Sequence, residues 1–240
     1  FQPVASALAG ALSGLPPALL TFGEHFFWWG ALGSILLFLP YFPRSKHIHL
    51  FMAPINLAFR KEVPGALTPL DFEKEEEKFG AEKLEDLSWK GLLDAYACIM
   101  CNRCQEACPA YATGKALSPA AILISERYEL NEILPRFAQG EESPRPLMDF
   151  ALNEEALWAC TTCLACVEVC PVGNEPMLHI LDVRRAKVLM EGSFPQELNN
   201  AFRGMERSGN PWGIGQDKRL DWAEGLNVPT VEEKPHPEVL

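Results

Sequence analysis

The chain has 240 residues and a formal net charge of −11, and this length fits one or two domains. Its acidic balance argues against nucleic-acid binding, because nucleic-acid-binding proteins carry basic surfaces. The charges are spread unevenly, since Glu24 is the only charged residue between Phe1 and Pro43. No initiator methionine and no basic segment precede the apolar residues. We therefore expect no signal peptide and expect the chain to be a piece of a longer polypeptide.

The first long apolar segment, Phe22 to Tyr41, contains 20 residues. As a helix it would be about 30 Å long, which matches the hydrocarbon core of a bilayer. Aromatic residues at its start and Arg44 and Lys46 after its end are typical of membrane interfaces, and the basic end is expected on the cytoplasmic side. A long buried core helix is the alternative, because glycines and a proline weaken the pattern. We predict a membrane anchor over residues 1–46, with one transmembrane helix at about 22–41.

Residues 47–87 are expected to form an interfacial segment and a charged linker. Within Ser45–Lys61, apolar residues lie between basic ends, which is typical of a segment at a membrane surface. We expect Pro54 to interrupt this segment, because proline lacks a backbone N–H. The stretch Phe72–Asp86 is dense in charges and mostly acidic. A solvated stretch is the favoured interpretation, and a partner-binding surface is the alternative.

All eight cysteines lie in two runs of identical spacing. The runs are Cys98-x-x-Cys101-x-x-Cys104-x-x-x-Cys108-Pro109 and Cys160-x-x-Cys163-x-x-Cys166-x-x-x-Cys170-Pro171. This spacing is typical of [4Fe–4S] clusters, and in two-cluster ferredoxins the fourth cysteine of each run ligates the other cluster. Zinc sites and structural disulfides fit the pattern poorly. We predict cluster I on Cys98, Cys101, Cys104 and Cys170, and cluster II on Cys160, Cys163, Cys166 and Cys108.

The segments around the cysteine runs have helical rather than alternating patterns. We expect helices over Trp89–Ala97, Ser118–Leu130, Leu147–Trp158 and Met177–Met190, with Ser118 as the N-cap of the second. The predicted fold is therefore all-α, with a transmembrane helix followed by an α-helical dicluster ferredoxin domain over residues 88–207. Residues 208–240 would form a C-terminal extension.

Two other groups of residues are candidates for redox roles. Arg184, Arg185 and Lys187 follow the second run. A solvated helix end is favoured over an effect on the cluster potential or docking of an acidic partner. His25 and His49 are candidate haem ligands. On one continuous helix they would lie about 36 Å apart, so they could not bind the same haem. Contact of these histidines with lipid headgroups is the alternative.

Residues 97–119 and 159–185 read ACIMCNRCQEACPAYATGKALSP and ACTTCLACVEVCPVGNEPMLHILDVRR. Both segments closely resemble the dicluster domain of heterodisulfide-reductase-related iron–sulfur oxidoreductases. Residues 25–60 resemble the last membrane helix of the respiratory nitrate reductase gamma-subunit type. The two parts in this order resemble the membrane-bound electron-transfer-flavoprotein:menaquinone oxidoreductases. Residues 208–223 are similar to the segment that leads into that family's cysteine-rich domain, which we expect to be missing here.

The resemblance implies a protein of a prokaryotic cell membrane with its cluster domain on the cytoplasmic side. It implies electron transfer from electron-transfer flavoprotein, or another flavoprotein donor, to menaquinone. It also implies b-type haem, for which His49 matches one family ligand while Ala31 occupies the other position. Other membrane subunits, or missing parts of the same polypeptide, are implied partners.

Two alternatives stay open. The first is an electron-relay subunit, without its own substrate site, in a larger respiratory complex. The second is the iron–sulfur subunit of a 2-hydroxy-acid or glycerol-3-phosphate oxidase, whose dicluster domain is similar.

Overall fold

The structure is a computed structural model that describes residues 2–73, 78–230 and 232–233. It divides into two compact units, Phe1–Met190 and Glu191–Leu240. The described residues form helices, turns and loops without a strand, and this confirms the predicted all-α class. The α-helices of the first unit are α1 (Pro3–Leu12), α2 (Pro17–Tyr41), α3 (His49–Ala58), α4 (Trp89–Ala97), α5 (Arg103–Glu106), α6 (Pro109–Ala112), α7 (Pro119–Phe137), α8 (Leu147–Phe150), α9 (Glu154–Ala159), α10 (Ala165–Glu168) and α11 (Pro176–Arg185).

The helix α2 and the 3-10 turn after it form one apolar segment, Pro17–Arg44, of 28 residues with a mean hydropathy of 1.4. This segment is long and apolar enough to cross a membrane. It begins before the predicted start at Phe22, because Pro17 occupies the first helical turn, where no N–H partner is needed. Pro40 does not end the helix early, since it lies in the last turn and removes only one backbone hydrogen bond.

Aromatic rings pack together where α2 is followed by α3. The ring centroid of Phe42 lies 5.6 Å from that of Phe51 and 6.2 Å from that of His47. The Phe38 ring lies 5.4 Å from His47. We call these four residues the aromatic turn. Ser45 supports it by accepting the His47 backbone N–H at 3.2 Å.

The helix α3 runs through Pro54 without a break, so the predicted interruption is wrong. Proline removes one backbone hydrogen bond, but two buried side chains attach α3 to α4. Ala53 packs against Ala97, and Asn56 donates to Asp94 Oδ1 at 2.8 Å. These buried contacts hold the helix in place.

The core of the first unit contains α4, α7, α9 and α11. Its fully buried apolar side chains include Leu84, Leu117, Ile122, Leu123, Leu130, Leu147, Leu157 and Ile180. Leu84 and Ala81 are 0% exposed, although both come from the charged stretch Phe72–Asp86. That part of the stretch is therefore not solvated as expected, because Asp86 accepts the backbone N–H groups of residues 82 and 83 and folds it into a turn. Residues 74–77 of the stretch lie outside the described residues.

The predicted helices of the cysteine-containing region are present with some changes of boundary. The helix α4 matches its prediction, and Ser118 caps α7 by accepting the Ala121 N–H at 3.2 Å. The single helix predicted over Leu147–Trp158 is wrong. Two helices form instead, because Asn153 accepts the Ala156 N–H at 2.8 Å and starts α9. The last predicted helix ends at Arg185 and is followed by a π-helical turn, Ala186–Met190.

The second unit contains one longer helix, α12 (Leu198–Ser208). It ends at Gly209, whose φ of 68° is the left-handed conformation that glycine adopts easily. Gly204 allows the chain after the helix to fold back, since a Cβ there would lie 2.6 Å from the Asn210 carbonyl oxygen. Phe194 and Phe202 pack with ring centroids 4.9 Å apart.

Candidate functional site

The first cysteine run forms a loop between short helices. Cys98 directly follows α4, Cys104 lies within α5, and Cys108 directly precedes Pro109 at the start of α6. Cys98 and Cys108 are buried, whereas Cys101 is exposed. The loop therefore presents one cysteine to solvent and turns the others inward.

The second run repeats this arrangement. Cys160 directly follows α9, and Cys166 lies within α10. Cys163 is exposed and Cys166 is buried, while Cys160 and Cys170 are half-buried. The middle cysteine of each three-cysteine loop is thus the exposed one.

Both runs carry left-handed backbone at the same two positions. In the first run these are Met100 with φ 56° and Asn102 with φ 61°, and in the second run Thr162 with φ 55° and Leu164 with φ 64°. For residues other than glycine, this conformation costs about 1–3 kcal/mol each, and it is least favourable for a β-branched residue such as threonine. The same strain at equivalent positions indicates that both loops are shaped for the same kind of ligand.

Cys170 lies with the cysteines of the other run. Cys98, Cys101, Cys104 and Cys170 line one cavity. Burial raises the pKa of Cys104 to about 12, and the nearby Cys98, Cys166 and Cys170 add to the rise. The structure therefore brings together the four residues predicted for cluster I.

Cys108, from the first run, lies with the cysteines of the second run. Burial raises the pKa of Cys166 to about 12, with contributions from Cys160, Cys108 and Cys163. Burial also raises the pKa of Cys160. The nearby Cys108 and Cys163 add to this rise. The four residues predicted for cluster II are therefore neighbours.

The chemistry of the two sets fits iron–sulfur clusters. Each set offers four thiols, and backbone N–H groups point at the sulfur atoms: Thr162 donates to Cys160 Sγ at 3.4 Å, and Asn174 donates to Cys170 Sγ at 3.3 Å. Such hydrogen bonds tune the potential of a thiolate-bound cluster. Within the part of the chain that the structure describes, no three His, Cys, Asp or Glu side chains meet at the spacing of a single metal ion.

Arg127 on α7 was not singled out by the sequence, yet it is 1% exposed and lies beside the first run. Its Nε donates to the Ala95 carbonyl oxygen at 2.8 Å. Its Nη2 donates to the carbonyl oxygens of Tyr96, at 3.1 Å, and Cys98. A lone arginine in a helical pattern carries no signal of this role, because arginines are usually solvated.

Arg184 on α11 occupies the equivalent place beside the second run. Its Nη2 donates to the carbonyl oxygens of Leu157, at 2.6 Å, and Cys160, at 2.7 Å. The guanidinium also lies 5.3 Å from the centroid of the Trp158 ring. The predicted solvated helix end is therefore wrong for Arg184. Its neighbour Arg185 pairs with Asp182 and donates to the Thr68 carbonyl oxygen at 2.9 Å.

A buried amide connects α3 to the first set of cysteines. Asn56 is 0% exposed, and its Nδ2 donates to Asp94 Oδ1 at 2.8 Å, Asn174 Oδ1 at 2.9 Å and the Val172 carbonyl oxygen at 3.0 Å. Asn174 is the residue whose N–H donates to Cys170 Sγ. The position of Cys170 is therefore linked to that of α3 through one side chain.

His179 is buried between two carboxylates. Its Nδ1 lies 3.0 Å from Glu126 Oε1, and its Nε2 lies 3.7 Å from Asp94 Oδ2. Burial lowers the pKa of His179, but Glu126 and Asp94 outweigh it and raise the pKa to about 10. Burial alone would raise the pKa of Asp94, whereas His179 and Lys90 lower it overall. His179 is therefore held in its protonated form between Glu126 and Asp94.

The candidate haem ligands bond to groups near them in the chain. His25 donates from Nδ1 to the Thr21 carbonyl oxygen at 2.9 Å, and His49 donates from Nδ1 to the Lys46 carbonyl oxygen at 2.5 Å. The chain leaves the α-helical path between them, since 3-10 turns separate α2 from α3. Among the described residues, nothing brings these two histidines together.

Comparison with known proteins agrees with the geometry. Residues 94–174 match the family model of the 4Fe-4S dicluster domain. The chain is 36% identical to the probable iron-sulfur-binding oxidoreductase FadF of Bacillus subtilis, over 97% of this chain and 38% of that protein. It is 36% identical to the EtfAB:quinone oxidoreductase of Syntrophomonas wolfei, over 84% of this chain and 31% of that protein. It is 30% identical to a probable membrane-anchored ferredoxin of Chromohalobacter salexigens, over 83% of this chain and 32% of that protein.

The chain spans about a third of the length of these relatives. No solved structure matches it significantly. The matches support iron–sulfur clusters and an electron-transfer role, and they do not support haem.

Proposed function

Since the chain belongs to the dicluster iron–sulfur oxidoreductases, we propose that it passes electrons from a flavoprotein donor through two [4Fe–4S] clusters to menaquinone. The observation that carries this proposal is the arrangement of the eight cysteines in two sets of four, each completed by a cysteine from the other run. When bound, each cluster supplies a one-electron carrier whose potential depends on its surroundings.

The protein's own residues would hold the two clusters near each other and leave an outer edge of each accessible. Cys104 and Cys166 lie in the middle, since they share one apolar contact group. Cys101 and Cys163 are the exposed members. A redox partner can therefore approach near either exposed cysteine, while electrons cross between the sets through the interior.

The membrane part of the proposal rests on α2. Its apolar segment could span a bilayer, and one relative is a membrane-anchored ferredoxin by name. Arg44 and Lys46 at its C-terminal end favour the cytoplasmic side of a prokaryotic cell membrane for the cluster domain. A flavoprotein donor and a quinone acceptor are proposed because another relative is named EtfAB:quinone oxidoreductase.

The proposal is tested with the cluster-loaded protein in liposomes that contain a menaquinone. Reduced electron-transfer flavoprotein should be reoxidised only when both the protein and the quinone are present. The matched control is Cys163→Ser, which should lose this activity because it removes a proposed ligand of cluster II. Failure of intact, cluster-loaded protein to take electrons from any flavoprotein would contradict the proposal.

An electron-relay subunit is the second candidate, and it is favoured by the exposed cysteine in each set. In that case the flavoprotein would reduce the clusters, but quinone would stay oxidised until another subunit is added. The iron–sulfur subunit of a 2-hydroxy-acid or glycerol-3-phosphate oxidase is distinguished by phase partitioning. That subunit would enter the aqueous phase of a detergent separation, whereas we expect this chain in the detergent phase.

A further inference from the structure

The helix α3 exposes large apolar side chains on its outward side. Its buried positions are Ala53 and the amide Asn56, whereas its large apolar side chains point outward. We call these residues, together with the residue that directly follows the helix, the α3 apolar face: Leu50, Phe51, Ile55, Leu57 and Phe59. Helices on water-exposed surfaces normally show the opposite arrangement. A contiguous apolar surface of this kind marks a binding surface.

The exposure of the α3 apolar face is substantial. Phe51 is 62% exposed and Phe59 is 58% exposed. Phe59 packs edge-on against Trp89, with ring centroids 5.3 Å apart, and Trp89 is itself 62% exposed. Tryptophan is favoured where an apolar region meets water, as at the surface of a bilayer.

The charge around the α3 apolar face is positive in an otherwise acidic chain. Between Glu24 and Glu62 there is no acidic residue, and the basic residues there are Arg44, Lys46, Arg60 and Lys61. Lys61 forms an ion pair with Glu175 at 3.6 Å. Among the described residues, no carboxylate pairs with the other three. The surface therefore offers apolar side chains flanked by cations, which complements anionic lipid headgroups.

The α3 apolar face is also continuous with the candidate membrane helix. The aromatic turn joins the end of α2 to the first turn of α3, and Phe51 belongs both to that turn and to the apolar face. A chain that leaves a bilayer at the end of α2 would therefore place the start of α3 at the headgroup level.

We propose that the α3 apolar face lies in the interfacial layer of a bilayer that contains anionic lipid, with Arg44, Lys46 and Arg60 at the headgroups. This inference rests on the membrane location in the proposed function. The helix then acts as a second attachment, parallel to the membrane surface, in addition to the helix that spans it.

This placement distinguishes the two clusters. The inner face of α3 packs with Ile99 and Val172 and with Cys170, which belongs to the first set of cysteines. Leu57 and Arg60 also pack over Gly173, where a Cβ would lie 3.4 Å from Leu57. One helix therefore separates the lipid from Cys170. Cluster I would be the membrane-side carrier, and it is the one expected to deliver electrons to quinone.

Photo-crosslinking of the full chain in liposomes tests the inference. Phe51→p-benzoylphenylalanine and Phe59→p-benzoylphenylalanine keep an aromatic side chain, so the fold should be preserved. Tyr111→p-benzoylphenylalanine is the matched control, because Tyr111 is an exposed aromatic residue on α6. In vesicles of phosphatidylcholine and phosphatidylglycerol, irradiation should give several-fold more lipid adduct at Phe51 and Phe59 than at Tyr111, as measured by mass spectrometry.

The triple variant Arg44→Gln, Lys46→Gln and Arg60→Gln tests the charge contribution. It should lower the yield of phosphatidylglycerol adducts at Phe51 and change phosphatidylcholine adducts little. Equal lipid labelling at Phe51 and Tyr111, or crosslinks from Phe51 to protein rather than lipid, would overturn the inference. Because crosslinking needs no electron transfer, such a result together with intact flavoprotein reoxidation would leave the proposed function standing.

Discussion

Each cysteine run has an arginine bound to the carbonyl oxygens around its first cysteine. Arg127 binds the carbonyl groups of Ala95, Tyr96 and Cys98, and Arg184 binds those of Leu157 and Cys160. The charge of Arg127 lowers the pKa of the Cys98 thiol, although burial raises it overall. A fixed cation beside a cluster favours the reduced, more negative state.

Arg127→Met should therefore shift the reduction potential of cluster I to more negative values and leave cluster II nearly unchanged. Arg184→Met should instead shift the reduction potential of cluster II to more negative values and leave cluster I nearly unchanged. Redox titration followed by low-temperature EPR measures both potentials in one sample. Arg127→Lys keeps the charge and should restore much of the potential, even though loss of the guanidinium hydrogen bonds costs about 1–3 kcal/mol of stability. Equal shifts of both clusters in one variant would refute this assignment.

Residues differed in how well their roles could be predicted. The cysteines were recognisable because four thiols at fixed spacing have few structural uses. Ser118 was recognisable because a capping serine before proline is a local signal. Arg127 and His179 were not recognisable, because their roles arise from contacts with residues that lie 29 and 53 positions away in the chain. The left-handed conformation of Thr162 and Leu164 also escaped prediction, because it is imposed by the cluster loop against local preference.

At the scale of elements, His179 joins three helices through charge. Lys90 and Asp94 belong to α4, Glu126 to α7, and His179 and Asp182 to α11. The pKa of His179 is raised from 6.5 to about 10 in the folded protein. Its charge therefore stabilises the fold fully below pH 6.5, and this contribution is lost as the pH rises through about 10.

His179→Gln should accordingly destabilise the protein most at acidic to neutral pH. Breaking a buried ion pair costs on the order of 3–5 kcal/mol. The difference in stability between the variant and the parent protein should narrow as the pH approaches 10. Thermal unfolding of the cluster-loaded protein, followed by circular dichroism at one scan rate, measures this difference. A difference that widens with pH would contradict the charged state of His179.

Predictions of elements failed where tertiary contacts overrode a local signal. Pro54 should interrupt a helix, but α3 continues because Ala53 and Asn56 are fixed against α4. The charged stretch before α4 should be solvated, yet Ala81 and Leu84 are buried. The apolar pattern of Leu147–Trp158 suggested one helix, whereas the side chain of Asn153 starts a second one. In each case the observed structure depends on a contact with residues distant in sequence or on one capping hydrogen bond.

At the scale of the whole molecule, the exchange of the fourth cysteine makes the two runs depend on each other. Removal of iron by a chelator under anaerobic conditions should loosen residues 98–108 and 160–170 together, because each set contains residues of both. The strain at the left-handed positions, about 1–3 kcal/mol each, would then be released. Hydrogen–deuterium exchange should show faster exchange in both segments. Loosening of one run alone would argue against shared ligands.

The all-α fold class was predictable, because the apolar segment, the helical patterns and the cysteine spacing all indicated it. The division at Met190 was not predicted, although Gly192, Ser193 and Pro195 follow it. The placement of α3 between the candidate membrane helix and Cys170 also required the structure.

The most direct test of shared ligands is the EPR spectrum of four single variants of the reduced protein. Cys101→Ser and Cys170→Ser should alter the same cluster signal, and Cys163→Ser and Cys108→Ser should alter the other. Iron and sulfide analysis of the parent protein should give two [4Fe–4S] clusters per chain. If Cys101→Ser and Cys108→Ser instead affected one signal, and Cys163→Ser and Cys170→Ser the other, each run would bind its own cluster. The exchange of the fourth cysteine would then be wrong.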